Sequence, residues 1–294
     1  MKRFALAGIV CAGMIVSAQA GTLDDIKKRG AIRLGYSETS VPFSFKQAQT
    51  GEIGGYSVEL CKRVASGVAQ QLKMPNLKTE WVALTPADRV SAVTSGKVDL
   101  ECGTTTTSLA RREKVDFSVP VFVDASTLMG RAAIANTMVQ MEGKKIAVAE
   151  NTTTLRAVEQ ALARRSLKAE IVKTKTVAEA FELLKQGKVD AMAGDRAVLV
   201  GTFYGAGGAE GLVVFGEDLS LEPYGLMLRR GDADFRLAVD RVLANVYRNE
   251  IDQIYVQWLG PLGKPTVPLL TLYLVNALPD ENEAPLKAPA KAGK

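Results

Sequence analysis

An α/β fold in two halves, each a mostly parallel sheet flanked by helices, is what the sequence predicts. Three observations carry it. Strand-like and helix-like segments alternate over residues 31–102, the order that builds a parallel sheet with helices on its faces. The alternation then restarts over residues 144–193. The two halves also share a signature, Ser95-Gly96-Lys97-Val98-Asp99 and Gln186-Gly187-Lys188-Val189-Asp190, in which Gly ends a helix and a strand follows.

Residues 1–20 have a basic start, an apolar middle and the small-residue end Ala18-Gln19-Ala20, the pattern of a secretory signal peptide cleaved after Ala20. A short amphipathic helix is expected over 21–29, a strand over 31–35, and a loop over 37–45 whose course Pro42 fixes. Ser57 is expected to cap a helix with Val58, Cys61, Val64, Val68 and Leu72 at helical spacing. A strand at 77–82, a helix at 89–95 and a strand at 98–102 complete the first half. The second has strands at 144–149, 170–173 and 189–193, with helices at 152–164 and 177–186. Two crossovers join the halves, one over 117–128 and one preceding 224–228. One or two helices follow over 233–258, and a tail rich in Ala, Pro and Lys from Ala284 reads as disordered.

Composition removes several functions. The chain has 294 residues, enough for two modest domains, and 23% of them are charged. Loss of the leader, with Lys2 and Arg3 and no acid, takes the formal charge from +5 to +3, and no long basic block with interleaved aromatics appears. Nucleic acid is therefore not an expected partner. There is no histidine, which removes Ser-His-Asp and Cys-His nucleophiles and imidazole metal sites, and neither metal nor cofactor is expected. Cys61 and Cys102 are the cysteines outside the leader. An oxidising compartment would let them pair. Both sit at apolar-face positions, where a free cysteine packs as a small hydrophobe, and the free, buried state is the expectation.

The stretch 101–112, ECGTTTTSLARR, is the candidate site. On an extended backbone Thr104 and Thr106 share one face, and Arg111 follows within about one helical turn. Hydroxyls and a guanidinium fork suit a carboxylate, and hydroxyls also accept from an ammonium. Taken alone, the stretch reads slightly better as a Thr-rich edge with a solvated Arg pair. The repeated signature shifts that balance. Ligands of open α/β sheets bind beyond the carboxyl ends of strands. Two such sheets facing each other place the threonines, Arg111 and Asp195 across one cleft.

With these residues assembled, the chain resembles the periplasmic solute-binding proteins of amino-acid ABC transporters, solute-binding family 3, over residues 23–259. The segments that carry the resemblance are Ser40-Val41-Pro42-Phe43-Ser44-Phe45, Gly55-Tyr56-Ser57-Val58-Glu59-Leu60, 101–112, Val115-Asp116-Phe117-Ser118, 187–195 and 224–228. The wording is nearest to the glutamate/aspartate-binding subgroup. The resemblance implies a type II periplasmic binding protein with two hinge strands. Lobe 1 would comprise 21–122 and 222–262, lobe 2 residues 123–221, and 263–294 would be a C-terminal extension. It implies that Arg111 grips the ligand's α-carboxylate with help from Thr106 and from Thr152 or Thr153, and that Asp195 takes the α-ammonium with Thr104. The structural alternative for Asp195, and for the segment from Asn151 to Thr154, is a helix cap. Arg112 is read as a solvated neighbour.

Acidic-amino-acid binders resemble one another in an Arg at the position of Ser37 and a His near Val177, and this chain has neither. Arg89 matches one of their cations, with helix-start pairing to Asp88 as its structural alternative. Ser37 and Ser40 make that pocket small-walled and polar, so an acidic ligand and a neutral polar one both stay open. The expected function is periplasmic amino-acid capture by a monomer that delivers to an inner-membrane permease. Two rivals remain. A dehydratase of the cyclohexadienyl type would use Glu101 or Glu150 as general acid, against a structural role for Glu101. A ligand-sensing module would need an attached output domain, and the sequence shows none.

Overall fold

The computed structural model describes residues 21–205, 207, 208 and 211–280. The expected signal peptide and the tail from Ala284 lie outside them. The first half runs α1 (Thr22–Arg29), β1 (Ala31–Tyr36), β2 (Thr39–Ser40), β3 (Ser44–Lys46), β4 (Ile53–Gly54), α2 (Tyr56–Gln71), β5 (Lys78–Ala83), α3 (Arg89–Thr94), β6 (Leu100–Glu101) and α4 (Leu109–Arg112). The long strand β7 (Val115–Arg131) leads to β8 (Lys145–Ala149), α5 (Thr153–Arg164), β9 (Glu170–Thr174), α6 (Val177–Lys185), β10 (Ala191–Asp195), α7 (Arg196–Gly205) and β11 (Leu212–Val214). Strand β12 (Ser220–Arg229) returns to α8 (Ala233–Asn249), α9 (Ile251–Leu259) and α10 (Val267–Asn276).

The fold is the mixed α/β, two-lobed type that the alternation predicts, and its sheets are joined. One curled sheet runs β5-β1-β6-β12-β7-β10-β8-β9, with β11 paired to β7. Pairing is parallel at each end, β5-β1-β6 and β10-β8-β9, and antiparallel where β12 and β7 cross between them. The two facing sheets expected from the repeat are thus one sheet, because both crossovers are strands that pair with each other. Gly96 and Gly187, the glycines of the repeated signature, have φ of 71° and 67°. Each is the left-handed residue that lets a helix stop and a strand begin.

Three local expectations change. Residues 37–45 hold β2 and part of β3, a small ribbon closed by β4. The helix assigned to a Ser57 cap starts at Tyr56 behind Gly55, and Ser57 is buried within its first turn. The extension carries α10, whose Leu269, Leu272 and Tyr273 pack on the first half. Its Tyr273 hydroxyl meets that of Tyr56 at 2.8 Å, and Tyr56 donates to the Val121 carbonyl of β7 at 2.8 Å.

Cys61 and Cys102 form a disulfide, with Cα atoms 6.1 Å apart, which overturns the free-thiol expectation. Both are fully buried, as expected, and the burial brings the inner face of α2 against the residue that follows β6. Closing a loop of 41 residues contributes about 4 kcal/mol through the unfolded chain. Beside it Phe43, Tyr56, Phe122 and Tyr224 pack edge to face or tilted, with centroids 4.9–6.0 Å apart. Separate apolar clusters fill the second half, around Phe215 and around Phe181. Among the described residues no helix is long and apolar enough to cross a membrane.

Candidate functional site

The carboxyl ends of the strands open on one cleft, which with the open solvent at its mouth encloses about 640 Å³. The first half lines it with Ser37, Ser40, Arg89, Glu101 and Thr104. The second half contributes Thr152, Thr153, Thr154, Val177 and Asp195. Arg111 and Thr106 stand outside this lining. The Arg111 guanidinium is turned onto the Thr106 carbonyl, to which Nη1 donates at 2.6 Å.

One end of the cleft is acidic and grows out of the hinge strands. Tyr224 on β12 donates to Asp195 Oδ2 at 2.6 Å and lies 3.2 Å from Asp124 Oδ2 on β7. Asp195 Oδ1 accepts from Thr154 at 3.0 Å and Glu222 Oε1 from Ser220 at 2.5 Å. Ser126 Oγ lies 3.1 Å from both carboxylate oxygens and has one proton to share between them. Glu222 Oε2 accepts from Thr153 at 2.7 Å and from Thr106. Among the described residues none of these three carboxylates has a cation within ion-pair distance. Burial, then the charge of Asp195, pushes the Asp124 carboxyl up to about 7. Burial, then Glu222, raises that of Asp195, against the hydrogen bonds from Tyr224, Thr154 and Ser126. Six hydroxyls serve three carboxylates that can accept more than six hydrogen bonds, so this end has acceptors to spare.

The other charged group of side chains holds cations. Arg89 is 8% exposed and its Nε has no hydrogen-bond partner among the described residues. Glu101 is 4% exposed, and its Oε2 is likewise unpartnered. Its Oε1 lies 2.2 Å from where a Cβ on Gly103 would stand, so a side chain there would displace the Glu101 carboxylate. Burial raises the Glu101 carboxyl, opposed by the charges of Arg89 and Arg111. Burial, then Arg89, lowers Arg111 to about 10, and Glu101 opposes this. The charges of Arg89 and Arg111 offset that of Glu101, while Arg89 Nε and Glu101 Oε2 keep hydrogen-bonding capacity to spare.

The helix-cap alternatives separate cleanly. Thr152 is the cap of α5: its hydroxyl accepts from Leu155 N–H at 3.1 Å and donates to the Ala149 carbonyl at 2.7 Å. Asp195 is not a cap, because Asp124 accepts the Ala197 N–H at 3.1 Å instead. Asp88 is occupied by Thr85 at 2.6 Å and does not pair with Arg89. The Ser37 and Ser40 hydroxyls lie 2.8 Å apart and bond to each other. Sequence reasoning missed Asp124, Ser126, Glu222 and the hydroxyl of Tyr224. The signal available was polar residues inside two otherwise apolar crossover strands.

The model of bacterial extracellular solute-binding proteins, family 3, matches residues 32–261. The L-glutamate/L-aspartate-binding protein of Pseudomonas aeruginosa is 33% identical over 255 residues, 86% of this chain and 84% of that protein. The glutamate/aspartate import solute-binding protein of Salmonella typhimurium is 29% identical over 96% of this chain and 93% of its own length. Among solved structures, the ancestral amino acid-binding protein AncCDT-1, a precursor of cyclohexadienyl dehydratase, superposes with a TM-score of 0.68. It is 30% identical, over 81% of this chain and 99% of its own.

Proposed function

The chain belongs to the bacterial extracellular solute-binding proteins, family 3, and on that premise we propose that it captures an L-amino acid between two lobes in the periplasm and delivers it to an inner-membrane ABC permease. The observation that carries the reading is Asp195: a desolvated carboxylate on the cleft wall, held by hydroxyls and lacking a cation among the described residues. A ligand ammonium supplies what it lacks. Arg111 takes the ligand carboxylate by turning from the Thr106 carbonyl, aided by the N–H groups that open α5. Thr104 adds an oxygen beside the ammonium. Closure of lobe 2 (123–221) on lobe 1 (21–122 with 222–262) about β7 and β12 completes both contacts. Two apolar clusters lie wholly within 123–221, around Phe215 and around Phe181, while the large first-half cluster also takes in Ala197 and Val198 of α7.

Relatives named for glutamate and aspartate make an acidic ligand the first candidate, with Arg89 as the side-chain cation and Ser37 and Ser40 as polar walls. Micromolar or tighter binding corresponds to about −8 kcal/mol or better. The test is a thermal-shift screen of refolded protein against the common amino acids, since native-state binding raises the melting temperature. A rise with at least one supports the reading, and a rise with glutamate or aspartate assigns the acidic class. No rise with any of them overturns it.

Glu101 favours a second reading. A buried carboxyl raised by desolvation and lining the cleft is suited to general-acid work. Incubation with prephenate tests it: phenylpyruvate above the buffer rate would support an eliminating enzyme, and none would dismiss it.

A further inference from the structure

Resting on the amino-acid reading above, we propose that Glu222 is a positioning residue that sets the polarity of the cleft. By taking the hydroxyl protons of Thr106 and Thr153, it leaves both threonines as acceptors and assigns Thr153, the one of the two that lines the cleft, to the ligand's ammonium end. This departs from the carboxylate-assisting role that the sequence resemblance implies for Thr153.

A threonine hydroxyl has one proton and two lone pairs, and an ionised carboxylate only accepts. Thr153 donates to Glu222 Oε2 at 2.7 Å, and Thr106 donates to the same oxygen. The two threonine oxygens stand 3.3 Å apart, and neither has a proton left to share. Thr153 lines the cleft, so it turns lone pairs toward a ligand. Thr154 Oγ1 lies 3.0 Å from both Asp195 Oδ1 and Ser126 Oγ, so its proton too is engaged within the cluster.

Glu222 acts from behind the cleft wall. It is 1% exposed and sits on β12, with Oε1 fixed by Ser220 and Ser126. From there it reaches Thr106, just past β6, and Thr153, the first residue of α5, so one carboxylate orients hydroxyls from both halves. A ligand carboxylate placed against Thr153 Oγ1 would meet lone pairs. An ammonium would find an acceptor there, with the negative charges of Asp195 and Glu222 behind it.

The consequence is discrimination at the ligand's α position. A 2-amino acid and the 2-hydroxy acid with the same side chain share the carboxylate and differ only in the group that this end reads. The experiment is calorimetry with the common L-amino acid that gives the largest thermal shift and with its 2-hydroxy analogue. In Glu222→Gln the amide NH₂ donates to a threonine and frees a hydroxyl proton. The ratio of the two dissociation constants should fall about tenfold, the scale of one hydrogen bond to a charged group. Thr153→Val, which deletes the acceptor, should lower the same ratio while weakening the hydroxy acid little. A purely structural Glu222, or a Thr153 that grips carboxylate, weakens both ligands together. An unchanged ratio in both variants overturns the assignment while leaving amino-acid capture intact. If no common amino acid binds, the reading beneath it fails and the assignment falls with it.

Discussion

At the hinge, three carboxylates are met by six hydroxyls, while on the cation-bearing wall Arg89 Nε and Glu101 Oε2 have no partner among the described residues. The scaffolds differ in the same sense. Asp124, Ser126, Ser220, Glu222 and Tyr224 belong to strands that pair over nine registered positions, and Asp195 ends a strand paired on both sides. Arg89 and Arg111 stand on helices of six and four residues, and Glu101 ends a strand of two. The acidic end is preassembled, and on the proposed reading its groups need little rearrangement to take an ammonium. Arg111 begins with a commitment of its own, since Nη1 already donates to the Thr106 carbonyl and only part of its fork is free for a carboxylate. Preorganised contacts give up less free energy on binding than contacts that must first be built.

That contrast is broken most directly by truncating each end in turn. Asp195→Ala should cost the upper part of the ~2–5 kcal/mol range seen when one partner of a buried charge pair is removed. Arg111→Ala should fall in its lower part, because one arm of its guanidinium is already committed to the Thr106 carbonyl. Calorimetry on both variants decides, and an Arg111 loss larger than the Asp195 loss would reverse the assignment of the rigid end. Next in size is the disulfide, the one covalent anchor of the loosely built side. Replacing Cys61 and Cys102 by Ser should lower stability by about 4 kcal/mol in denaturant titration. It should also weaken binding, because Cys102 leads directly into Gly103 and Thr104. Unchanged affinity in a stable double mutant would show that the loop holds its shape without the bond.

Sequence made one side of this comparison more legible than the other. Strand and helix periods are local signals, and the repeated Gly-Lys-Val-Asp put the strand ends within two residues of where they fall. It placed the threonine run, Arg111 and Asp195 across one cleft; Thr104 and Asp195 line it, as do Thr152 and Thr153, which the family resemblance supplied, while Thr106 and Arg111 stand outside the lining. Glu222 was hidden because its partners come from four separate segments, and within its own strand it is a single acid between Leu221 and Pro223. The disulfide was hidden because the spacing of Cys61 and Cys102 carries no distance, and apolar-face positions are what both a free and a bonded cysteine occupy. Helix α10 escaped because Val267–Asn276 is apolar almost throughout and shows no helical face to read. The ribbon of β2, β3 and β4 escaped because strands of two or three residues leave no alternation.

The smallest expected effect on affinity, and the sharpest in sign, concerns Asp124. Its carboxyl is held near 7 in the empty protein by burial and by Asp195, with Tyr224 and Glu222 as the other titratable groups facing the cluster. The unfolded chain releases that proton near 4. Between about pH 4 and 7 the folded state therefore binds more protons than the unfolded state, and this group's contribution to stability falls as pH rises, then levels. A ligand ammonium beside Asp195 favours the charged form of the cluster and lowers the Asp124 value in the complex. Binding should then release a proton, and affinity should rise with pH up to about 7, by at most tenfold per pH unit. Stability of the empty protein and affinity for ligand thus move in opposite directions across one window. Asp124→Asn keeps an acceptor for the Ala197 N–H and removes the titration, so it should flatten both curves. Calorimetry at pH ~6.5 in two buffers of different ionisation heat gives the proton count directly. Proton uptake, or a wild-type profile retained in Asp124→Asn, would move the titration to another group and remove the hinge cluster from ligand capture.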